Sequence, residues 1–170
     1  MIELGQTVPA ATLYEYRETE SEGCSIGPNA VDVVKALAGK TVVVFALPGA
    51  FTPTCSAQHL PGYIAQFDAL CAAGADEVWC VSVNDAFVMH AWGKAAGASG
   101  KVRMMADGSA ELAKALGLTL DLTARGMGLR SQRFALVAKS GIVDDLQVEA
   151  PGKFEVSAAE FMLARLARPA

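Results

Sequence analysis

The chain has 170 residues, 52% hydrophobic and 19% charged, a composition that supports one folded domain over residues 1–170 and excludes intrinsic disorder. The formal net charge of -4 and the lack of a dense Lys or Arg stripe argue against a nucleic-acid partner. Apolar runs fall far short of the roughly 18 residues that span a bilayer, and the start "MIELGQTVPA" lacks signal-peptide character. We therefore expect no membrane segment and a cytoplasmic protein.

The first elements along the chain are predicted to be a hairpin, a short helix and a buried strand. Segments 11–18 and 23–27 are expected to form an opening N-terminal β-hairpin. A helix should begin with Asn29 as its N-cap and end at Gly39. The run "TVVVFAL" (41–47) is apolar and β-branched without alternation, which predicts a central strand buried on both faces.

A helix and a second buried strand are predicted next. Apolar residues recur at helical spacing from about 54 to 71, so we expect a helix that is kinked or broken near Pro61. "EVWCVSV" (77–83) is a second buried strand, and the capping residues Asn84 and Asp85 open another helix. This strand, helix, strand order predicts a parallel crossover.

The remaining elements complete an α/β pattern. A short strand is predicted at 102–106, a helix after Asp107, and an antiparallel hairpin over 133–148. Ser157 and Glu160 have capping-box spacing, so the chain should end in a helix with an apolar face at 161, 163 and 166. The order predicts a thioredoxin-like α/β sandwich, a central mixed sheet flanked by helices.

The segment "PGAFTPTC" (48–55) lies where functional sites of open α/β sheets gather, beyond the carboxyl end of the first central strand. Cys55 is therefore expected to open a helix at the sheet edge. The unpaired N–H groups of a first helical turn favour the ionised form of a thiol, and the thiolate is the reactive species.

A helix terminus alone does not provide enough stabilisation for a reactive thiolate. Lowering a thiol pKa from about 8.5 to about 6 requires roughly 3.4 kcal/mol, whereas a helix terminus supplies about 0.3 to 1 kcal/mol. A fixed cation is needed as well, and Arg130 and Arg133 at the start of a buried strand are the candidates. Reduction of a peroxide also needs donors aimed at both oxygens, a task suited to the Thr52 hydroxyl and a guanidinium.

The stretch "PGAFTPTCSAQHLPGY" resembles the peroxiredoxin family, in its type II or peroxiredoxin five form, and "VSVNDAFVMHAWG", "MMADGS" and "RSQRFALV" are similar to it as well. The resemblance implies that Cys55 is the peroxidatic nucleophile, Thr52 its hydroxyl donor, Pro48 a shield and Arg133 the active-site guanidinium, with Arg130 as the runner-up. It also implies a thioredoxin fold, no metal or organic cofactor, and a homodimer whose interface lies near the active-site loops.

Three further cysteines bear on how the oxidised thiol is recycled. Cys24 lies in a polar loop, Cys71 falls on a predicted apolar helix face, and Cys80 sits inside a predicted buried strand, where a structural role is favoured over a resolving one. Some relatives carry a resolving cysteine in the region matching 152–160, and this chain has none there. We expect a one-cysteine enzyme reduced by an external thiol, glutathione with glutaredoxin first and thioredoxin second.

Two alternatives were weighed against the peroxidase. A thioredoxin-type oxidoreductase needs a C-x-x-C pair, and Cys55 is followed by Ser-Ala-Gln. A peroxide sensor, or an interaction protein switched by oxidation of Cys55, would use the same thiol without turnover. His59, one helical turn further on, is expected to support the loop rather than bind a metal, and Trp92 and the pair at 104–105 are expected in core or interface packing.

Overall fold

The computed structural model describes residues 1–17 and 28–168. Strands in these residues are β1 (Thr12–Glu15), β2 (Asn29–Asp32), β3 (Thr41–Leu47), β4 (Glu77–Ser82), β5 (Val102–Ala106), β6 (Thr119–Leu122), β7 (Gly128–Ser131), β8 (Phe134–Lys139) and β9 (Ile142–Val148). The α-helices are α1 (Val33–Leu37), α2 (Leu60–Ala65), α3 (Phe67–Ala72), α4 (Ala86–Ala96), α5 (Glu111–Leu116) and α6 (Ala159–Leu166). A π-helix (Cys55–His59) and a 3-10 turn (Thr123–Arg125) complete them.

The central sheet has the strand order β2-β1-β5-β4-β3-β8-β9 and is mixed. Strands β3, β4 and β5 run parallel, β8 is antiparallel to β3, and β9 is antiparallel to β8. The expected thioredoxin-like sandwich, with helices flanking a mixed sheet, is confirmed. None of the helices in the described part of the chain has the length and apolar character needed to cross a bilayer.

Strand β3 shows why the sequence folds into layers. Its side chains alternate between two separate cores, so that Phe45 and Leu47 pack with residues of α2, α4 and α6, whereas Val44 packs with residues of α1 and α5. A strand covered on both faces has no solvent side, which explains the unbroken apolar run that predicted it. Leu47 and Ser82 pair at the ends of β3 and β4, so the loops that follow both strands start side by side.

The opening hairpin is present, but its second strand was predicted in the wrong place. Strand β1 pairs with β2, residues 29–32, rather than with 23–27, a segment that lies outside the described residues. Asn29 therefore begins a strand and caps no helix. The helix begins at Val33, because the Asp32 carboxylate accepts a hydrogen bond from the backbone N–H of Lys35 and is the true cap.

The helical region after Cys55 has three parts rather than one. The break falls at Gln66, between α2 and α3, where φ is -92° and ψ is 5°. Pro61 lies in the first turn of α2, where a missing N–H costs nothing, so it does not break that helix. In α3, Leu70 enters the core, whereas Cys71, expected on the apolar face of the helix, is only half-buried.

Predictions for the second half of the chain hold with three corrections. The helix after Asp107 is α5, and β8 and β9 form the expected hairpin. The small hairpin of β6 and β7 was not predicted. The capping box was wrong, because α6 follows Ala158 without a side-chain cap and the Ser157 hydroxyl donates to Glu149. The face of α6 is shifted too, so that Met162 is buried and Phe161 is 38% exposed.

Candidate active site

The loop between β3 and the π-helix is tightly built. A Cβ on Gly49 would lie 3.0 Å from Arg130 Nη1 and 3.1 Å from Thr52 Cγ2, so only glycine fits there without displacement. Phe51 has φ of 61°, a left-handed conformation that costs energy for a bulky residue and occurs mainly where the surrounding structure enforces it. The Thr52 hydroxyl donates to the Gly49 carbonyl at 2.7 Å, closing the turn.

Asn84, which follows the neighbouring strand β4, holds this loop in place. The side-chain oxygen of Asn84 accepts from the Ala50 backbone N–H at 2.9 Å and from the Ser82 hydroxyl at 2.6 Å. Sequence reasoning read Asn84 as a helix cap, but Asp85 alone caps α4. Its position beside the loop follows from the pairing of β3 with β4, which a pattern of local propensities does not reveal.

Cys55 begins the π-helix and is 1% exposed. Its sulfur lies 3.3 Å from Nη2 of Arg133. Arg133 immediately precedes β8, the strand that pairs with β3. A guanidinium is always charged at physiological pH, so its proximity stabilises the ionised sulfur. The two candidate arginines therefore have different partners. Arg130 donates to the carbonyls of Met127, at 2.8 Å, and Pro48, at 3.4 Å, and not to the sulfur.

His59 lies one turn beyond the cysteine, fully buried against Arg133. Nδ1 of its ring is 2.9 Å from Arg133 Nη1, and Nε2 is 3.2 Å from the Ser157 carbonyl oxygen. Burial, followed by the charge of Arg133, lowers the pKa of His59 to about 3, so the imidazole is neutral at physiological pH. Both nitrogens are engaged in hydrogen bonds, which leaves neither free to bind a metal.

Most of the other sulfur atoms and large side chains are buried. Cys80 is 0% exposed on β4, and burial, with a smaller effect from Cys55, raises the pKa of its thiol well above its usual range. Burial also raises the pKa of the half-buried Cys71, with smaller effects from nearby carboxylates, and Cys24 lies outside the described residues. Trp92 is buried and donates from Nε1 to the Ser56 hydroxyl at 3.1 Å, and the methionines at 104–105 are buried.

Fold and site together define a class of protein: a thioredoxin-like domain with a buried, arginine-paired thiol beyond the carboxyl end of a central strand. The Redoxin family model matches residues 3–163. Peroxiredoxin-2C of Arabidopsis thaliana is 44% identical over 97% of this chain and 98% of its own length. Reduced Prx3 of Vibrio vulnificus, in complex with hydrogen peroxide, is 52% identical, with a TM-score of 0.89 over 98% of this chain and 99% of its own. The chain belongs to the redoxin family and is a peroxiredoxin, a thiol peroxidase.

One solved structure has a different description. A protein of Burkholderia cenocepacia, described provisionally as a thioredoxin reductase, is 62% identical, with a TM-score of 0.92 over 96% of this chain and 97% of its own. Exchange with a thioredoxin disulfide uses a pair of thiols, and the four cysteines at 24, 55, 71 and 80 form no C-x-x-C pair. The family match and the peroxiredoxin relatives therefore carry the assignment.

Proposed function

We propose that Cys55 is the peroxidatic nucleophile of this peroxiredoxin. Its thiolate attacks one oxygen of a hydroperoxide, so that an S–O bond forms while the O–O bond breaks. The cysteine becomes a sulfenic acid, and the departing oxygen takes up a proton to leave as water or an alcohol. The observation that carries the proposal is the 3.3 Å contact between the Cys55 sulfur and Arg133 Nη2. Hydrogen peroxide and organic hydroperoxides are both proposed as substrates.

Three further residues complete the proposed site. Arg133 stabilises the thiolate and the negative charge that develops on the departing oxygen. The Thr52 hydroxyl, held against Gly49 in this structure, can rotate to donate to a bound peroxide, since a hydroxyl both donates and accepts. Pro48 is half-buried beside the site, and we assign it the role of excluding bulk water from the sulfur.

We further propose a one-cysteine cycle in which an external thiol reduces the sulfenic acid. Cys80 is fully buried on β4, where it pairs with Phe45 of β3, so a disulfide through its thiol would require the core to open. Residues 152–160 contain no cysteine. Glutathione with glutaredoxin is our first choice of reductant and thioredoxin the second, in a reducing compartment such as the cytoplasm.

Trapping the oxidised sulfur tests the assignment directly. We expect one equivalent of hydrogen peroxide, added to the reduced protein with dimedone, to produce a single adduct at Cys55 by mass spectrometry. The buried Cys80, whose burial disfavours its thiolate, should remain a thiol and serves as the internal control. An adduct at Cys71 or Cys80 with Cys55 unmodified, or a disulfide between two of the cysteines, would contradict the one-cysteine cycle.

The homodimer implied by the family resemblance is proposed to form over the surface next to the active-site loop. Phe51, in the loop, is 58% exposed and Phe87, in the first turn of α4, is 55% exposed. Large apolar side chains that a fold leaves exposed commonly mark a protein interface. We expect sedimentation equilibrium to give twice the 17.7 kDa chain mass, and Phe87→Asp to shift the protein to the monomer. Phe161→Asp, a matched change on α6, should leave the dimer intact; a monomeric wild type would refute the proposal.

A further inference from the structure

We propose that His59 is a positioning residue for the peroxidase reaction: as a neutral imidazole it holds the Arg133 guanidinium so that one nitrogen points at the Cys55 sulfur. The inference rests on the assignment of Cys55 and Arg133 above. Beyond that assignment, it identifies His59 as the residue that fixes Arg133 and states that His59 must be neutral to do so.

The geometry of the guanidinium links the two contacts. Nη1 of Arg133 lies 2.9 Å from His59 Nδ1, and Nη2 of the same group lies 3.3 Å from Cys55 Sγ. A guanidinium is planar and its donors form a rigid fork, so fixing one nitrogen fixes the direction of the other. His59 and Cys55 lie on one π-helix, which keeps the acceptor and the sulfur at a constant separation.

The chemistry of the pair sets the tautomer of His59. A guanidinium has donors and no acceptor, so Nδ1 must present a lone pair to Arg133. The ring proton is then on Nε2, which donates to the Ser157 carbonyl at 3.2 Å. In the other tautomer an N–H would face an N–H at Arg133, and the Ser157 carbonyl would face a lone pair.

Neutrality of His59 leaves the charge of Arg133 available to the thiolate. A carboxylate in the same place would also accept from Arg133, but it would neutralise the cation that the sulfur needs. The imidazole accepts without adding a negative charge. The groups that surround it are the Arg133 cation, the Ser157 carbonyl and three aromatic rings, with ring centroids 5.0 Å away for Phe45, 5.7 Å for Tyr63 and 5.0 Å for Phe154, so burial keeps it uncharged.

The Ser157 carbonyl is itself held in place by a buried carboxylate. One oxygen of Glu149 accepts from the Ser157 backbone N–H at 2.8 Å, from its hydroxyl at 2.9 Å and from the Glu155 N–H at 2.7 Å. The same loop places the Phe154 ring 5.7 Å from the Arg133 guanidinium carbon. The loop before α6 therefore fixes the Ser157 carbonyl. That carbonyl selects the tautomer of His59, which in turn positions Arg133.

Two substitutions separate positioning from packing. His59→Leu keeps an apolar side chain of similar bulk but removes the acceptor, whereas in His59→Asn the side-chain oxygen stands where Nδ1 was. Because a hydrogen bond to a charged group is involved, we expect Leu to slow oxidation of Cys55 by hydrogen peroxide about tenfold or more. Leu should also slow alkylation of Cys55 by iodoacetamide at neutral pH, while Asn recovers most of both rates. Tyr63→Phe is the control, since it removes the other donor to the Ser157 carbonyl, at 2.8 Å, without touching Arg133.

The outcomes are distinct. Equal losses in His59→Asn and His59→Leu, or a Leu variant within about twofold of wild type in both measurements, would overturn the inference. The tautomer can be read in the wild-type protein by nitrogen NMR of the imidazole, independently of whether a variant folds. A neutral ring protonated on Nε2 between about pH 5 and 8 is expected; an imidazolium, or a proton on Nδ1, would overturn the inference. Failure of the Cys55 assignment would show separately, as peroxidase activity in Cys55→Ser.

Discussion

Cys55→Ser should abolish hydroperoxide reduction, with at least about a 10⁴-fold loss in the rate of peroxide consumption in the presence of thiol. A serine hydroxyl in the same place is not ionised near neutral pH and is a far weaker nucleophile than a thiolate. Arg133, 3.3 Å from the sulfur, cannot compensate, because a cation lowers the cost of charge on an atom but does not supply nucleophilicity. Steady-state consumption of hydrogen peroxide, with glutathione plus glutaredoxin and separately with thioredoxin plus its reductase, measures the effect.

Matched substitutions at Cys80 and Cys71 are the controls for this experiment. Cys80→Ser and Cys71→Ser should both turn over within about threefold of wild type, since neither thiol contributes to the one-cysteine cycle. Loss of turnover in Cys80→Ser, in a folded protein, would identify it as a resolving cysteine and refute its structural role. A wild type that consumes one equivalent of peroxide and then stops with every thiol offered would support the sensor alternative instead.

The architecture followed from the sequence where hydrophobic pattern and burial agree. The continuous apolar runs of β3 and β4 could mean little other than strands covered on both faces, and the hairpin of β8 and β9 was marked by its Ser-Gly turn. Prediction was weaker where several residues compete for one local role. Asn29 and Asp32 are both good caps, and the choice of Asp32 depends on the pairing of β2 with β1, a contact between segments that are not adjacent in sequence.

The candidate site was also predictable only where a local pattern marks it. The motif from Pro48 to Cys55 is contiguous, so the sequence located it, but Arg133 is 78 residues from the cysteine. Its choice over Arg130 could not be made from spacing, because both arginines precede the same predicted strand. In the structure Arg130 lies in the unpredicted β6–β7 hairpin and donates to the Pro48 carbonyl of the loop. Asn84, Ser157 and Glu149 support the site through hydrogen bonds that depend on tertiary structure alone. No local pattern marks such residues.

Arg133→Met should reduce the second-order rate of Cys55 oxidation by about 10² to 10³-fold, the usual cost of removing one preorganised donor from a site of developing charge. Methionine keeps much of the bulk of the side chain but removes the guanidinium, whose carbon lies 5.7 Å from the Phe154 ring centroid. Without the cation the thiolate is less stable, so alkylation of Cys55 at neutral pH should slow as well. Stopped-flow oxidation and iodoacetamide alkylation measure the two effects.

Arg133→Lys distinguishes charge from geometry at this position. Lysine restores a cation but has a single point of charge, so it cannot donate at once to His59 Nδ1 and to the sulfur as the two Nη atoms do. We expect the rate of Cys55 alkylation at neutral pH to return close to wild type, while the oxidation rate stays about tenfold low, because aligned donors to the departing oxygen are missing. Arg130→Lys should cost less than about fivefold, since its hydrogen bonds to carbonyls of the loop can be replaced by an ammonium. Full recovery of the rate in Arg133→Lys would mean that electrostatics alone suffices and that the orientation of the guanidinium does not limit catalysis.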